Sequence, residues 1–246
     1  MDYRETSKIV TLFTRDKGKM SVLAKGARQA RSRFGATLEP MSFIQAVYYY
    51  KPTRTLQTLS ESSHLYLFSH IGRDLEKITI GLRMVELVQA LLQEEEQQQA
   101  VFNLLAQALQ RLDAADARAA NLLLYFQLRL ADALGFGPSF DRDAVQALPE
   151  EGGILTLDTG AILPAGTPRN GLRASRAALR AFAICTRADL ETIMQMHLTP
   201  ECFRDAHQLV EQYLRYHVEE AYPTRSDKVI AQLLEYRTSG KTDDAP

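Results

Sequence analysis

The spacing of apolar residues changes once along this 246-residue chain, and that change limits the fold more than any other feature. In roughly the first quarter, apolar and polar residues alternate, as in strands with one face in a core. From about His64 onward, apolar residues recur at the 3.6-residue period of amphipathic helices. The sequence therefore predicts an α+β protein, with a β domain at residues 1–62 followed by a helical domain at residues 63–246.

The first segment contains four predicted strands. They span residues 6–13, 19–25, 40–50 and 55–61. Short strands joined by polar turns in so short a segment predict a small closed or partly closed barrel. A barrel of the oligonucleotide-binding type (an OB-fold) has five strands, one more than the four predicted here.

The remainder is predicted to be helical with one interruption. Helices are expected at residues 65–75, 82–92, 101–112, 117–134, 175–184, 188–196, 200–220 and 226–236. The segment 117–134 is unusually apolar, so it is expected to lie at the buried centre of the helical domain. Residues 138–170 are rich in Gly and Pro and are interpreted as a small β insertion, with a hairpin around Thr159 and Gly160.

Charge is divided unevenly between the two segments. The whole chain has a net charge of −1, yet residues 1–60 hold 11 Lys and Arg against 4 Asp and Glu. The remaining residues hold 18 cations against 26 anions. This asymmetry predicts an acidic partner, such as a nucleic acid, for the first segment.

A cationic loop follows the second predicted strand. It contains Lys25, Arg28, Arg31 and Arg33, and no carboxylate lies between them. A strand that leads into such a loop is expected to contact a phosphate backbone, although a merely solvated basic loop is the alternative. The predicted DNA-contacting residues are Lys17, Lys19, Lys25, Arg28, Arg31, Arg33, Lys51 and Arg54. Aromatic residues interleave with these cations and are candidates to stack on bases; they are Phe34, Phe43, Tyr48, Tyr49 and Tyr50.

Motifs for catalysis are absent from the sequence. It contains no phosphate-binding loop, no nucleophile elbow and no Cys-x-x-Cys pair, so we predict no catalytic residues and no enzyme. Asp158-Thr159-Gly160 matches the aspartic-protease motif, but a second carboxylate would have to come from another subunit. A hairpin turn is the preferred interpretation of this motif, and a dimeric hydrolase is the remote alternative.

Three features of the sequence limit where in the cell the protein is expected. No apolar run is long enough to span a membrane, and the N-terminus lacks an apolar signal segment. Cys185 and Cys202 are too few and too far apart for a disulfide framework, so both are expected to pack as ordinary thiols. These features predict a cytoplasmic protein without membrane partners.

Several short motifs, in order along nearly the whole chain, resemble the RecO family of DNA-repair proteins. The most specific is Leu23-Ala24-Lys25-Gly26-Ala27-Arg28 with Ser32 nearby. The others are residues 3–7, Leu12-Phe13-Thr14 with Gly18, and residues 38–40, 59–61 and 134–137.

This resemblance implies an OB-fold barrel followed by a helical domain. It also implies binding of single- and double-stranded DNA and annealing of complementary strands. Further implied partners are the acidic C-terminal tail of single-stranded DNA-binding protein (SSB) and RecR, with which such proteins load RecA onto coated DNA in the RecFOR pathway of recombination. The implied location is the cytoplasm, at the nucleoid. Cations on the helical domain are candidates for the rim of the tail-binding groove; they are Arg118, Arg129 and Arg215.

The chain departs from the family pattern in two places. Many members bind zinc through two Cys-x-x-Cys pairs, whereas the corresponding stretches here, residues 143–146 and 155–159, have no thiol. Because thiolates are the tightest protein ligands for zinc, we expect no zinc and no other cofactor. The apolar strand that family members usually have before the block at residues 3–7 is also absent, so the first strand of the barrel is expected to be missing or shortened. Either the true start lies upstream or the barrel is open along one edge. An RNA-binding OB-fold adaptor protein is the alternative function.

Overall fold

The computed structural model describes residues 6–167 and 171–223, so the predicted helix at 226–236 lies outside the described residues. The N-terminal segment forms a four-stranded sheet. Its strands are β1 (Lys8–Thr14), β2 (Gly18–Ala24), β3 (Phe43–Tyr49) and β4 (Leu56–Tyr66). All four correspond to predicted strands.

The strand order in this sheet is β1-β2-β4-β3. Strands β1 and β2 form an antiparallel hairpin, β2 and β4 pair in parallel, and β3 pairs antiparallel to β4 with a bulge between Val47 and Tyr48. Alternation along β2 places Met20, Val22 and Ala24 in the barrel core, because successive side chains of a strand point to opposite faces. The core of the barrel is therefore built on its central strands.

The connection to the helices differs from the prediction. The helix expected over residues 65–75 is absent, because β4 remains paired with β3 as far as Tyr66 and only a single 3₁₀ turn follows at Ile71–Arg73. The first helix, α1, spans Leu75–Leu91. It begins there because the side chain of Asp74 accepts a hydrogen bond from the backbone N–H of Lys77, at 3.1 Å.

The helical domain packs around its most apolar helix. After α1 come α2 (Gln99–Asp113), α3 (Asn121–Ala133), α4 (Arg142–Gln146), α5 (Arg176–Arg187), α6 (Leu190–Gln195) and α7 (Pro200–Val218). Helix α3 begins four residues later than predicted, because Arg118 takes a left-handed backbone conformation with φ of +58°. Its Leu122, Leu124 and Phe126 are fully buried, so the predicted central helix of the domain is confirmed.

A small sheet interrupts the helices. It consists of β5 (Gly153–Leu155), β6 (Ile162–Pro164) and β7 (Leu172–Ala174) in the order β6-β5-β7. Strands β5 and β6 form the hairpin expected around Thr159 and Gly160, whereas β7 and the short helix α4 were not predicted. The backbone N–H of Ser139 donates to the carbonyl of Thr159 at 2.8 Å and ties this hairpin to the segment after α3.

The barrel and the helices meet at a close joint. The backbone N–H of Glu95 donates to the Lys19 carbonyl at 2.8 Å, and Nζ of Lys19 donates to the Gln89 carbonyl at 2.8 Å. Gly18 has φ of +65°, and a Cβ at this position would lie 1.9 Å from the carbonyl oxygen of Glu96. The end of the β1–β2 turn is therefore in direct contact with the α1–α2 connection. Because the contact is so close and φ is positive, only glycine fits at this position.

Candidate nucleic-acid interface

The cationic loop at residues 25–34 is anchored at three points. Gly26, with φ of +75°, turns the chain out of β2. The backbone N–H of Arg28 donates to the carbonyl of Thr6 at 2.9 Å, which ties the middle of the loop to the chain before β1. Phe34 closes the loop by inserting its ring into the barrel core. The loop is therefore a fixed structure on the barrel surface.

The four basic side chains of this loop all point into solvent. Lys25, Arg28, Arg31 and Arg33 are exposed, and the Arg33 guanidinium lies 5.0 Å from the ring centroid of Phe34. In residues 6–167 and 171–223 no ion pair involves any of the four. Unneutralised cations on an anchored loop form a surface that attracts phosphates. We call these four residues the loop cluster.

A second group of cations lies on the β3–β4 turn and the neighbouring β1–β2 turn. Lys17, Lys51 and Arg54 are exposed there, and Nζ of Lys17 lies 5.2 Å from the ring centroid of Tyr50. Cation–π contacts of this kind hold a lysine and an aromatic ring together at a surface. We call Lys17, Lys51 and Arg54 the turn cluster.

A buried glutamine, Gln57, shapes the β3–β4 turn. Its Oε1 accepts from the backbone N–H of Lys51 at 2.8 Å, while its Nε2 donates to the carbonyls of Lys51 and Arg54. Sequence analysis did not single out Gln57. The available signal was a polar residue at an inward position of an alternating strand, where burial requires hydrogen-bond partners.

The two clusters lie at opposite ends of β2. The turn before Gly18 carries one cluster and the loop after Ala24 carries the other, so a strand of about 20 Å separates them. Lys19 belongs to neither, because its amine is held by the Gln89 carbonyl. The structure thus divides the eight predicted DNA-contacting residues into two groups and places Lys19 at the joint with the helices.

The three consecutive tyrosines at the end of β3 and directly after it have different surroundings. Tyr48 packs against the barrel core, and burial, together with the nearby Tyr50 and Asp16, raises the pKa of its phenol. Tyr49 points outward and is 69% exposed. Tyr50 lies beside Lys17, so it is the tyrosine that combines an aromatic face with an adjacent cation.

Two of the predicted partner-binding arginines bind backbone carbonyls of the helical domain. Nη1 of Arg118 donates to the carbonyl of Met194 at 3.2 Å. Nη2 of Arg129 donates to the carbonyl of Ala188 at 2.9 Å. Arg129 on α3 and Arg118 just before it therefore hold the segment around α6 in place.

The third predicted arginine, Arg215, lies elsewhere on the helical domain. It forms an ion pair of 3.7 Å with Glu211 on α7, and its guanidinium lies 4.7 Å from the ring centroid of Tyr222. These contacts place Arg215 beside the buried side chain of Arg83, which donates to Glu211 from the other side. The structure does not bring Arg215 into a hydrogen-bonded group with the other two arginines.

The Asp158 motif has the surroundings of a turn. The Asp158 carboxylate accepts from the backbone N–H of Thr159 at 2.9 Å. Hydrogen bonds from Thr156 and Thr159 lower the pKa of this exposed carboxyl. A proton-sharing pair requires one carboxyl with a raised pKa, so this environment fits the turn interpretation. Among the described residues, no group of three His, Cys, Asp or Glu side chains is placed to hold a metal ion.

Comparison with known proteins assigns both segments. A family model described as recombination protein O N terminal matches residues 1–68, and one described as recombination protein O C terminal matches residues 72–226. The chain belongs to the RecO family. Its relatives include the DNA repair protein RecO of Salinibacter ruber, 54% identical over 234 residues that cover 95% of this chain and 90% of that protein. The DNA repair protein RecO of Chloroherpeton thalassium is 27% identical, with 95% of each chain covered.

Membership of the RecO family confirms the resemblance stated from the sequence. It also confirms the predicted fold, an N-terminal OB-fold domain followed by a helical domain, and the assignment to DNA repair and recombination. Among the described helices, none combines the length and apolar character that a membrane crossing requires.

Proposed function

We propose that this RecO-family protein is a non-catalytic mediator of DNA repair that binds single- and double-stranded DNA and anneals complementary strands. The loop cluster is the observation that carries the proposal, because four exposed cations without carboxylate partners stand on an anchored loop. Neutralising phosphates on two strands lowers the repulsion that opposes their pairing. The turn cluster extends the same surface to the other end of β2.

The proposal includes protein partners that fit the family. With RecR, the protein helps to load RecA onto SSB-coated DNA, and its helical domain receives the acidic tail of SSB. Arg118, Arg129 and Arg215 are the proposed tail contacts, and no zinc or other cofactor is required. The proposed location is the cytoplasm, at the nucleoid. A fluorescent SSB-tail peptide, titrated against the wild type and each arginine-to-alanine variant, tests the tail contacts.

A salt series tests DNA binding directly. We expect wild-type affinity for single-stranded DNA to fall steeply as salt rises, and Lys25→Glu/Arg28→Glu/Arg31→Glu to abolish most of it. Removing three phosphate contacts lowers the slope of log affinity against log salt by about 2, since each contact on a single strand contributes about 0.7. The readout is fluorescence anisotropy of a labelled oligonucleotide.

A matched control separates the location of the charges from their number. Arg142→Glu/Arg173→Glu/Arg204→Glu makes the same change of net charge at exposed positions of the helical domain. It should keep nearly all of the wild-type affinity and slope. Equal losses in both triple variants, or a wild-type protein that fails to bind at low salt, would refute the proposed site. Competition by RNA of the same sequence distinguishes the RNA-binding adaptor, which requires RNA to compete better than DNA.

A further inference from the structure

We propose that single-stranded DNA lies with its bases on an apolar row across the outer face of the barrel sheet, and that this row favours unpaired bases over duplex. The inference rests on the proposed function, because it names the part of the DNA that lies between the two basic clusters. The row contains one residue from each strand of the sheet: Ile9, Leu23, Thr58 and Tyr49.

Strand pairing brings these four residues together although they are far apart in the sequence. Ile9 on β1 is paired with Leu23 on β2, and Leu23 is paired with Thr58 on β4. Thr58 is in turn paired with Tyr49 on β3. Neighbouring strands are about 4.8 Å apart, so the three spacings give a row about 14 Å long across the strands.

The side chains of the row point away from the barrel core. The residues that flank Leu23 on β2 and Thr58 on β4 are buried, so these two half-buried side chains point outward. Ile9 and Tyr49 are 65% and 69% exposed. A strand added beside β1 or β3 would pair along an edge and would not cover this face, so the row does not depend on those edges.

Charge complementarity selects nucleic acid as the occupant of the row. The exposed Lys25 of the loop cluster follows Leu23 by two residues, so it lies about 7 Å from it along the chain direction of β2. The exposed Lys51 of the turn cluster follows Tyr49 by two residues. Because β2 and β3 run in opposite directions, the two lysines lie on opposite sides of the row. Phosphates can therefore bind on both sides while the bases between them contact apolar side chains.

Two neighbouring parts of the same face are unsuitable for DNA bases. Val47 on β3 is exposed there, but it is paired with Glu61, whose carboxylate repels phosphates. At the far end of β1, the ring of Phe13 packs against that of Phe102 on α2, with 5.7 Å between the centroids. Bases are therefore expected at the row and not toward either of these sides.

The row distinguishes single strands from duplexes by the faces of their bases. An unpaired base presents a flat face that can stack on the Tyr49 ring and cover Leu23 and Ile9, whereas the bases of a duplex are stacked on one another. The row thus adds affinity for single strands that does not come from phosphate contacts and does not depend on salt. Once two strands have annealed, this contribution is lost, so the duplex is bound less tightly and is released.

An abasic oligonucleotide tests whether the bases contribute. We compare an oligonucleotide of about 16 thymidines with an abasic one of the same length and charge, by fluorescence anisotropy over a salt series. The wild type should bind the thymidine strand at least about fivefold more tightly, the equivalent of about 1 kcal/mol, with the same salt slope for both. Equal affinities with a steep salt slope would overturn the row and leave phosphate binding intact. Failure to bind either strand at low salt would refute the proposed function as well.

Paired variants test the location of the row. Leu23→Ser/Tyr49→Ser should reduce the affinity for the thymidine strand to that for the abasic strand, with an unchanged salt slope and unchanged duplex binding. The matched control, Leu82→Ser/Tyr216→Ser, makes the same changes at exposed positions of α1 and α7 and should keep the full difference.

Circular dichroism establishes that both double variants are folded. If Leu23→Ser/Tyr49→Ser is not, Tyr49→Ser alone replaces it, since that side chain is exposed. Equal losses in the variant and its control, or a loss of the same size for the abasic strand and the duplex, would contradict base binding on this row.

Discussion

Nη2 of Arg83 on α1 donates a 3.1 Å hydrogen bond to Oε1 of Glu211 on α7, and the arginine side chain is fully buried. Nη1 of Arg83 donates to the carbonyl of Pro223 at 2.8 Å, and the guanidinium lies 4.9 Å from the ring centroid of Tyr222. One buried cation therefore links the first helix of the domain to the last helix described and to the chain beyond it.

Replacing Arg83 should destabilise the helical domain strongly. Arg83→Met keeps the bulk but removes the guanidinium that donates to Glu211, so we expect the free energy of unfolding to fall by about 3–5 kcal/mol. Urea unfolding measures the change. Arg204→Met, at an exposed position of α7, should change stability by less than about 0.5 kcal/mol. A loss below about 1 kcal/mol in Arg83→Met would mean that the network contributes little.

Glu211 should make stability depend on pH in the acid range. Burial alone would raise the pKa of Glu211, but the charge of His207, the neighbouring Tyr222 hydroxyl and the charge of Arg83 outweigh it and lower the pKa. The carboxylate therefore stabilises the fold above its unfolded pKa, and this stabilisation is lost as the pH falls through the lower folded pKa. The stability difference between wild type and Glu211→Gln should be largest near neutral pH and shrink below about pH 4.5. A pH-independent difference would argue against this assignment.

The two basic clusters should contribute separately to binding of a long single strand. Lys25→Glu/Arg28→Glu and Lys51→Glu/Arg54→Glu should each lower the salt slope by about 1.4, and their combination by about 2.8. The reason is that a strand crossing the sheet can contact both ends of β2. Anisotropy with an oligonucleotide of about 16 nucleotides measures these slopes. If either pair has no effect, the DNA path does not include that end.

Tyr50 should contribute to binding of unpaired bases. Tyr50→Ala should weaken single-stranded DNA binding by about 1–3 kcal/mol, while duplex binding changes little because duplex bases are already stacked. Tyr216→Ala is the control, since that tyrosine is exposed on α7 of the helical domain. Equal losses for single strands and duplexes would indicate that the tyrosine acts by positioning Lys17, whose amine lies over its ring.

The purified protein should contain far less than one zinc per chain. Cys185 is buried, and burial raises the pKa of its thiol to about 12, so the protonated form persists at neutral pH. A protonated thiol is a poor metal ligand. Elemental analysis by mass spectrometry measures the content, and EDTA should leave the melting temperature unchanged. One zinc per chain that survives dialysis against EDTA would contradict the prediction.

Local pattern predicted most of the secondary structure. Alternation of apolar and polar residues located all four barrel strands; on β2, for example, Met20, Val22 and Ala24 face the barrel core. The apolar run centred on Leu124 located the central helix. The pattern failed at residues 65–75, where Leu67, Ile71 and Leu75 have a helical spacing although Leu65 and Leu67 also alternate as in a strand. Pairing with β3 decides that segment, and a partner distant in sequence is invisible to local periodicity.

The candidate site was predictable as residue types but not as an arrangement. The cations of the loop cluster were evident because no carboxylate lies among them. Their separation from Lys51 and Arg54 follows from the parallel pairing of β2 with β4, which places the two groups at opposite ends of one strand. Lys19 fits the same charge pattern, yet its amine binds a helix carbonyl, a contact that depends on the tertiary fold.

The joint at Gly18 has a mechanical consequence. If Lys17 binds DNA as proposed, the strand would pull on a turn whose next two residues contact the helices. Gly18 lies against Glu96 of the α1–α2 connection, and Lys19 is hydrogen-bonded to Glu95 and to Gln89 on α1. Tension on that strand is therefore borne by the first two helices as well as by the covalent link after β4.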